Sequence, residues 1–277
     1  MSVSPAAFSR STVISALRSA GCVFAEEEAD LIFSTALTPV DVAAMVERRV
    51  AGLPLEHVVG WAEFCGLRIT VDPGVFVPRR RTEFLVNQAA ELTGQVPVES
   101  AEGPRKAVVV DLCCGSGALG AALAAAMKRA YDEVELHAAD LDPAAVRCAR
   151  RNLTGPGNHV YEGDLYDPLP SALRGRVDVL VASPPYVPTR AIGLLPPEAR
   201  LHEPHVALDG GPDGLDVVRR VITEAVFWLA PGGSLLVETS ERQAEETAEA
   251  VARHGLVPTV AWSEEWDATA IIGTRPA

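Results

Sequence analysis

From Lys106 onward, short runs rich in Val, Leu and Ile alternate with segments whose apolar residues recur at helical spacing, and this alternation restricts the fold more than any other feature. Strand and helix taking turns along a chain is the pattern of an open α/β sheet wrapped by helices on both faces. Strands are expected at 107–112, 135–139, 159–161, 177–182, 234–239, 257–262 and 268–273, and helices at 118–129, 143–153, 215–229 and 241–254. Seven strands ending in a closing pair make a Rossmann-like sheet, in which ligands gather beyond the carboxyl ends of the strands. There is no internal repeat and no low-complexity segment.

The first third of the chain reads differently. Val13, Leu17 and Ala20, then Ala29, Ile32 and Phe33, then Val42, Met45 and Val46 have helical spacing, and Thr38-Pro39 with Asp41 suits a helix start. Residues 1–53 are therefore expected to form a small helical domain. Residues 54–80 carry Gly60, Gly66, Pro73 and Gly74 around alternating stretches such as Leu67-Arg68-Ile69-Thr70-Val71, as in a β-hairpin linker. The remainder, 81–277, forms the large α/β domain, and a Gly-, Pro- and charge-rich stretch at 93–105 is expected to be an exposed loop.

Composition removes several function classes. With 48% hydrophobic residues and a mean hydropathy of +0.15, the 277 residues can bury a substantial core. A net charge of −13, from 24 basic and 37 acidic residues, opposes autonomous nucleic-acid binding, which needs a cationic surface. Five cysteines, an odd number without Cys-x-x-Cys spacing, read as reduced thiols of a cytoplasmic protein. No apolar run reaches the length of a membrane span, no signal-peptide pattern opens the chain, and no His/Cys/Asp cluster has metal-ligand spacing. With no amphipathic seam in view, a monomer is expected.

Four loops after predicted strands carry the chemistry. Asp111-Leu112-Cys113-Cys114-Gly115-Ser116-Gly117 follows three valines and opens an alanine-rich helix, so its glycines permit close backbone approach to a ligand. The spacing Gly115-x-Gly117-x-x-Gly120 also fits a dinucleotide fingerprint, and the glycines alone do not choose the cofactor. Asp140, followed by Leu141, ends the second strand 25 residues beyond Gly115, where a carboxylate can accept both ribose hydroxyls of a nucleoside. Asp142 is placed to cap the helix beginning at Pro143. Asp164, after the third strand, can accept from an exocyclic adenine amine, with Leu165 and Tyr166 packing on the ring edge; a turn-capping acid is the plainer alternative.

The fourth loop, Ser183-Pro184-Pro185-Tyr186, settles the choice. Two prolines hold it extended and leave its carbonyls free to accept, while Tyr186 supplies a flat wall. Such a loop can grip a planar NH2 group, and this points to S-adenosylmethionine as cofactor and to methyl transfer onto nitrogen. A seven-stranded sheet with a closing C-terminal pair matches methyltransferases using that cofactor better than a dehydrogenase.

These residues together resemble the HemK-type protein-(glutamine-N5) methyltransferases. The likeness runs over Pro54–Gly60 with Glu63-Phe64-Cys65-Gly66, over Val75-Phe76-Val77-Pro78-Arg79 with Thr82-Glu83, and over the loops of Asp111, Asp140, Asp164 and Pro184-Pro185-Tyr186. The resemblance implies a cofactor set of Asp111, Gly115, Ser116, Gly117, Asp140, Leu141, Asp164, Leu165 and Ser183. It implies an acceptor set of Ser183, Pro184, Pro185, Tyr186 and Arg79, with Ser183, Pro184 and Tyr186 catalytic, and no metal. The implied substrate is the Gly-Gly-Gln glutamine of a peptide-chain release factor, with the helical domain docking that protein. Two departures stand out. Ser183 occupies the position of the family's Asn, whose side-chain oxygen, with the Pro184 carbonyl, accepts the two N–H bonds of the substrate amide. Arg80-Arg81 replaces the usual Pro and acid, and reads as a solvated charge run or as a docking site for an anionic partner. Ser183 leaves room for a methyltransferase of different acceptor, and a cofactor-binding docking module without catalysis is a further reading. Residues 189–205 are expected to form a lid, with His202 and His205 as surface or packing residues.

Overall fold

The computed structural model describes residues 9–94 and 105–277, so nearly all of the loop expected at 93–105 lies outside the described residues. Helices α1 (Arg10–Ser19), α2 (Ala25–Thr35) and α3 (Pro39–Val50) pack through Val13, Leu17, Ala29, Ile32 and Val42. At the start of α3 the Thr38 hydroxyl accepts the Asp41 N–H while the Asp41 carboxylate accepts the Thr38 N–H, a reciprocal cap with Pro39 in the first turn. Ala20, expected in this core, instead lies exposed beyond the end of α1.

Within the linker only residues 61–70 form the hairpin. β1 (Trp61–Phe64) pairs antiparallel with β2 (Leu67–Thr70) across Cys65-Gly66, whose φ values of 49° and 72° suit a tight two-residue turn. Residues ahead of it form a short helix, α4 (Leu55–Val59), which ends at Gly60 with φ 83°. Five residues are too few to display a helical period, so this element escapes a sequence reading.

After α5 (Glu83–Gly94) come β3 (Lys106–Leu112), α6 (Ala118–Met127), β4 (Glu133–Asp140), α7 (Pro143–Asn152), β5 (Asn158–Glu162) and β6 (Val177–Ala182). They are followed by α8 (Pro197–His202), α9 (Asp216–Trp228), β7 (Leu229–Thr239), α10 (Ala244–Arg253), β8 (Val257–Ser263) and β9 (Ala268–Thr274). The sheet order is β5-β4-β3-β6-β7-β9-β8, parallel except for the antiparallel pairs β7-β9 and β9-β8. β7 starts before its expected first residue because Pro231-Gly232-Gly233 is taken into the strand, with a register shift against β6. A Cβ on Gly233 would lie 2.5 Å from the Val177 carbonyl oxygen, so only glycine permits that approach.

Successive residues of the central strands feed opposite layers. Val109, Val179 and Leu236 face a core with α5, α6 and α7, whereas Val108, Val110, Leu180 and Leu235 face one with α9 and α10. Successive strands depart from β3 toward β4 and β5 on one side and toward β6 and β7 on the other. This reversal opens a crevice at the strand ends, the topological switch point where ligands bind in such sheets.

Arg49 of α3 ties the N-terminal helices to the segment above that crevice. Its guanidinium donates to both oxygens of buried Glu28 at 2.6 and 3.0 Å, and to Glu198 of α8 at 2.5 Å. Arg49→Ala leaves Glu28 buried without its cation and is expected to cost about 3–5 kcal/mol in urea unfolding, whereas Arg49→Met with Glu28→Leu costs less. A single-variant loss below about 1 kcal/mol would contradict this.

Candidate active site

The crevice holds a cleft lined by all four strand-end loops. Asp111, Cys113, Cys114, Gly115 and Ser116 come from the end of β3, Asp140, Leu141 and Asp142 from β4, Asp164 and Leu165 from β5, and Ser183 and Pro185 from β6. Its volume, with the open solvent at its mouth included, is about 1070 Å³. Cys113 and Leu165 adopt left-handed backbone at φ 56° and 48°, a costly conformation for non-glycine residues, and both line the cleft.

The glycine loop is braced from three sides. The Gly115 N–H donates to Asp140 Oδ2 at 2.8 Å, and the Cys114 N–H to the Ala139 carbonyl. Asn152 of α7 donates through Nδ2 to the carbonyls of Ser116 and Thr70, joining the loop to the hairpin. Asp140 accepts through its other oxygen from the Asp142 N–H at 2.8 Å, and each carboxylate oxygen keeps a second lone pair for a ligand. Burial pushes its carboxyl upward, against backbone N–H groups that favour the charged form. Asp142 caps α7 by accepting from the Ala144 N–H.

Asp111 is fully buried at the cleft wall. Its Oδ2 accepts from the Gly120 N–H at 2.8 Å, while Oδ1 is buried without a partner among the described residues. A Cβ on Gly120 would come within 2.9 Å of Oδ2, so the third glycine of the fingerprint serves this contact. Gly117 does not line the cleft: it caps α6 at φ 78°, and a Cβ there would press on Leu153 at 3.0 Å. Asp164 accepts from Arg220 at 2.7 Å through Oδ2. Tyr166, expected on a ligand edge, is in the core instead, stacked on Trp228 and donating to the Val221 carbonyl.

A second cleft opens from the first and shares Phe76, Arg79, Thr82, Ser183, Pro185 and Ala207 with it. Pro184, Tyr186, Arg81 and Glu238 line the second space and not the first, and all but Pro184 also border a third cleft beside it. Arg79 is half-buried, its guanidinium donating to buried Glu203 at 2.5 Å and lying over the Phe76 ring. Leu195, Pro196 and Ala199 of the 189–205 segment line this cleft, and Pro204 lines the first, so the segment stands over both. Arg80 is exposed, as a solvated charge would be, but Arg81 is engaged: its Nε lies 3.2 Å from Glu238 Oε1, and Nη2 donates to the Tyr186 hydroxyl.

Glu238, near the end of β7, escaped the sequence reading. Only a charged residue closing the apolar run Leu235-Leu236-Val237 marks it there. Its buried carboxylate accepts from Thr82 at 2.7 Å, Ser183 at 3.1 Å, Tyr186 at 3.2 Å and Arg81. Buried beside it, Tyr186 has its phenol pushed well above the ordinary range. Away from the clefts, the register pair His137 and His159 stacks at 4.9 Å, with His137 Nε2 2.9 Å from Glu135. The fold thus gathers three possible metal ligands that spacing did not reveal, although the other His137 nitrogen is engaged with Tyr161 at 2.9 Å.

The Methyltransferase small domain profile matches residues 67–194. The Release factor glutamine methyltransferase of Geobacter sulfurreducens is 37% identical over 228 residues, covering 80% of this chain and 74% of the relative. The chain belongs to the release factor glutamine methyltransferase family. Its counterpart from Mycolicibacterium smegmatis is 40% identical across 76% of this chain and 70% of its own length. A solved methyltransferase from Pyrococcus furiosus shares the fold at a TM-score of 0.52, with 15% identity over 85% of this chain and 98% of that one. As a member of the release factor glutamine methyltransferase family, the protein uses S-adenosylmethionine. The residues present suit that cofactor, because the orphaned Asp111 Oδ1 calls for a donor and a ligand ammonium group supplies one.

Desolvation raises the Asp111 carboxyl to about 7, against an ordinary 3.8, in the unliganded protein. The folded state keeps this proton while the unfolded chain releases it, so the Asp111 contribution to stability falls as pH rises from 3.8 toward about 7. Asp111→Asn is expected to remove this component, up to about 1.4 kcal/mol per pH unit, from denaturant unfolding followed across that window. An unchanged pH slope in the variant would contradict the assignment.

Proposed function

We propose that this protein transfers a methyl group from S-adenosylmethionine to the side-chain amide nitrogen of a glutamine, that of the Gly-Gly-Gln motif in a peptide-chain release factor. The observation that carries the reading is the placement of Ser183 and Pro185 on both clefts, with Pro184 and Tyr186 on the second and not the first. A donor in the first cleft and an amide in the second meet at this loop.

In this reading Asp140 holds the ribose, Asp164 and Leu165 meet the adenine, Asp111 takes the ammonium group, and Gly115, Ser116 and Leu141 shape the wall. Gly117 acts indirectly, by setting the turn. The bound cofactor supplies an electrophilic methyl group on a sulfonium. An amide nitrogen is a weak nucleophile because its lone pair is delocalised, so the protein's contribution is orientation and charge stabilisation. Ser183 Oγ and the Pro184 carbonyl accept the two amide N–H bonds and turn the nitrogen toward the methyl group, while Pro185 and Tyr186 confine the amide plane. The methylated nitrogen then sheds its proton to water. Arg79, tied to Glu203 through Nη2, lines both clefts and offers its remaining guanidinium donors to the acceptor.

Helices α1, α2 and α3, within residues 1–53, dock the protein substrate, and Arg49 carries that docking to the segment over the clefts. The protein acts as a monomer in the cytoplasm, where release factors work, and the acidic net charge of −13 disfavours nucleic acid as a direct partner. The short side chain of Ser183 favours a second reading, the same chemistry on a different acceptor.

Incubation of a release factor with the protein and S-adenosylmethionine, followed by peptide mass spectrometry, is expected to show one methyl group on the Gly-Gly-Gln glutamine over many turnovers. Cofactor binding without that modification would leave the methyltransferase intact and overturn the substrate.

A further inference from the structure

Serine at the amide-gripping position poses a problem of polarity. A hydroxyl can donate or accept, whereas the proposed amide needs an acceptor for its N–H. The structure contains a device that removes this ambiguity.

Glu238 is 3% exposed, and as a carboxylate it can only accept. Its Oε2 faces the Ser183 and Thr82 hydroxyls at 3.1 and 2.7 Å, so each must direct its proton at Glu238. With that proton committed, only lone pairs of Ser183 remain for the clefts it lines. Oε1 is held independently: Arg81 Nε and the Tyr186 hydroxyl both lie 3.2 Å from it. Tyr186 in turn accepts from Arg81 Nη2, which fixes the direction of its own proton. Arg81 also supplies the charge that accompanies a carboxylate in so enclosed a place, its side chain 45% exposed against 5% for Glu238.

We infer that Glu238 is a positioning residue that sets the polarity of the acceptor site, presenting Ser183 Oγ as a hydrogen-bond acceptor, and that Arg81 fixes which carboxylate oxygen does so. Serine thereby does the work of an amide oxygen. The arrangement also accounts for the two departures together, since Arg81 and Ser183 contact opposite oxygens of one carboxylate.

Glu238→Gln reverses the polarity without changing the shape. Arg81 and Tyr186 demand an acceptor at the Oε1 position, so the new NH2 group must take the other position and donate to Ser183 and Thr82. Ser183 then spends a lone pair on Gln and turns its proton toward the amide N–H.

The inference rests on the proposed glutamine acceptor, so wild-type turnover on a release factor is measured first; its absence overturns that reading and this one with it. Given wild-type turnover, Glu238→Gln is expected to lower kcat at least tenfold, with the Kd for S-adenosylmethionine within about twofold of wild type. In a Ser183→Ala background the same substitution lowers kcat no further. Equal losses in the two backgrounds, or loss of cofactor affinity in step with kcat, would reduce Glu238 to a structural role and overturn the polarity inference alone. If Glu238→Gln does not fold, Glu238→Asp carries the same test. Its shortened reach is expected to lower kcat in the Ser183 protein and to spare the Ser183→Ala protein, and equal losses again overturn the inference.

Discussion

The direction in which the chain leaves β3 governs where everything else can be. Because β4 and β6 flank β3 on opposite sides, the helices that follow diverge, and the carboxyl ends of these strands stay uncovered. Asp111, Asp140, Asp164 and Ser183 lie far apart in sequence, yet each falls at or just beyond the end of one of four adjacent parallel strands. Their meeting in one cleft is a consequence of topology, and it needs no further interaction to bring them together.

Holding the loops in place takes more. The glycine loop leans on Asp140 and Asn152, and two non-glycine residues, Cys113 and Leu165, adopt left-handed backbone at the rim. Asp111 is buried with one oxygen unsatisfied, and its carboxyl is raised to about 7 by that burial. Such features lower stability unless the surroundings enforce them, and here the two apolar layers on either side of the sheet do so. A ligand donor beside Asp111 would relieve part of that cost.

The large α/β sheet was legible because its strands are apolar runs bounded by turn residues and its helices keep a regular period, as with 143–153 against the observed α7. Asp142 and the Thr38 start of α3 were legible for a similar reason, since capping is local in sequence. What stayed hidden depends on contacts between distant residues. Tyr166 has the same neighbours in sequence whether it faces a ligand or Trp228, and only the packing of α9 decides for the core. Arg81 reads as part of a charge run, but Glu238, 157 residues later, draws it into the acceptor cleft. Glu238 itself is one acid at the end of an apolar strand, and nothing nearby in sequence announces four donors. The cluster of Glu135, His137 and His159 likewise exists only through the register of β4 against β5.

In the proposed reaction the two clefts deliver a cofactor and an amide to opposite sides of Ser183. A crystal structure with S-adenosylhomocysteine and a Gly-Gly-Gln peptide tests it most directly. The glutamine nitrogen is expected about 3 Å from both Ser183 Oγ and the Pro184 carbonyl, with Ser183 still bonded to Glu238. A glutamine side chain seated away from this loop, or one whose carbonyl oxygen rather than nitrogen faces Ser183, would contradict it.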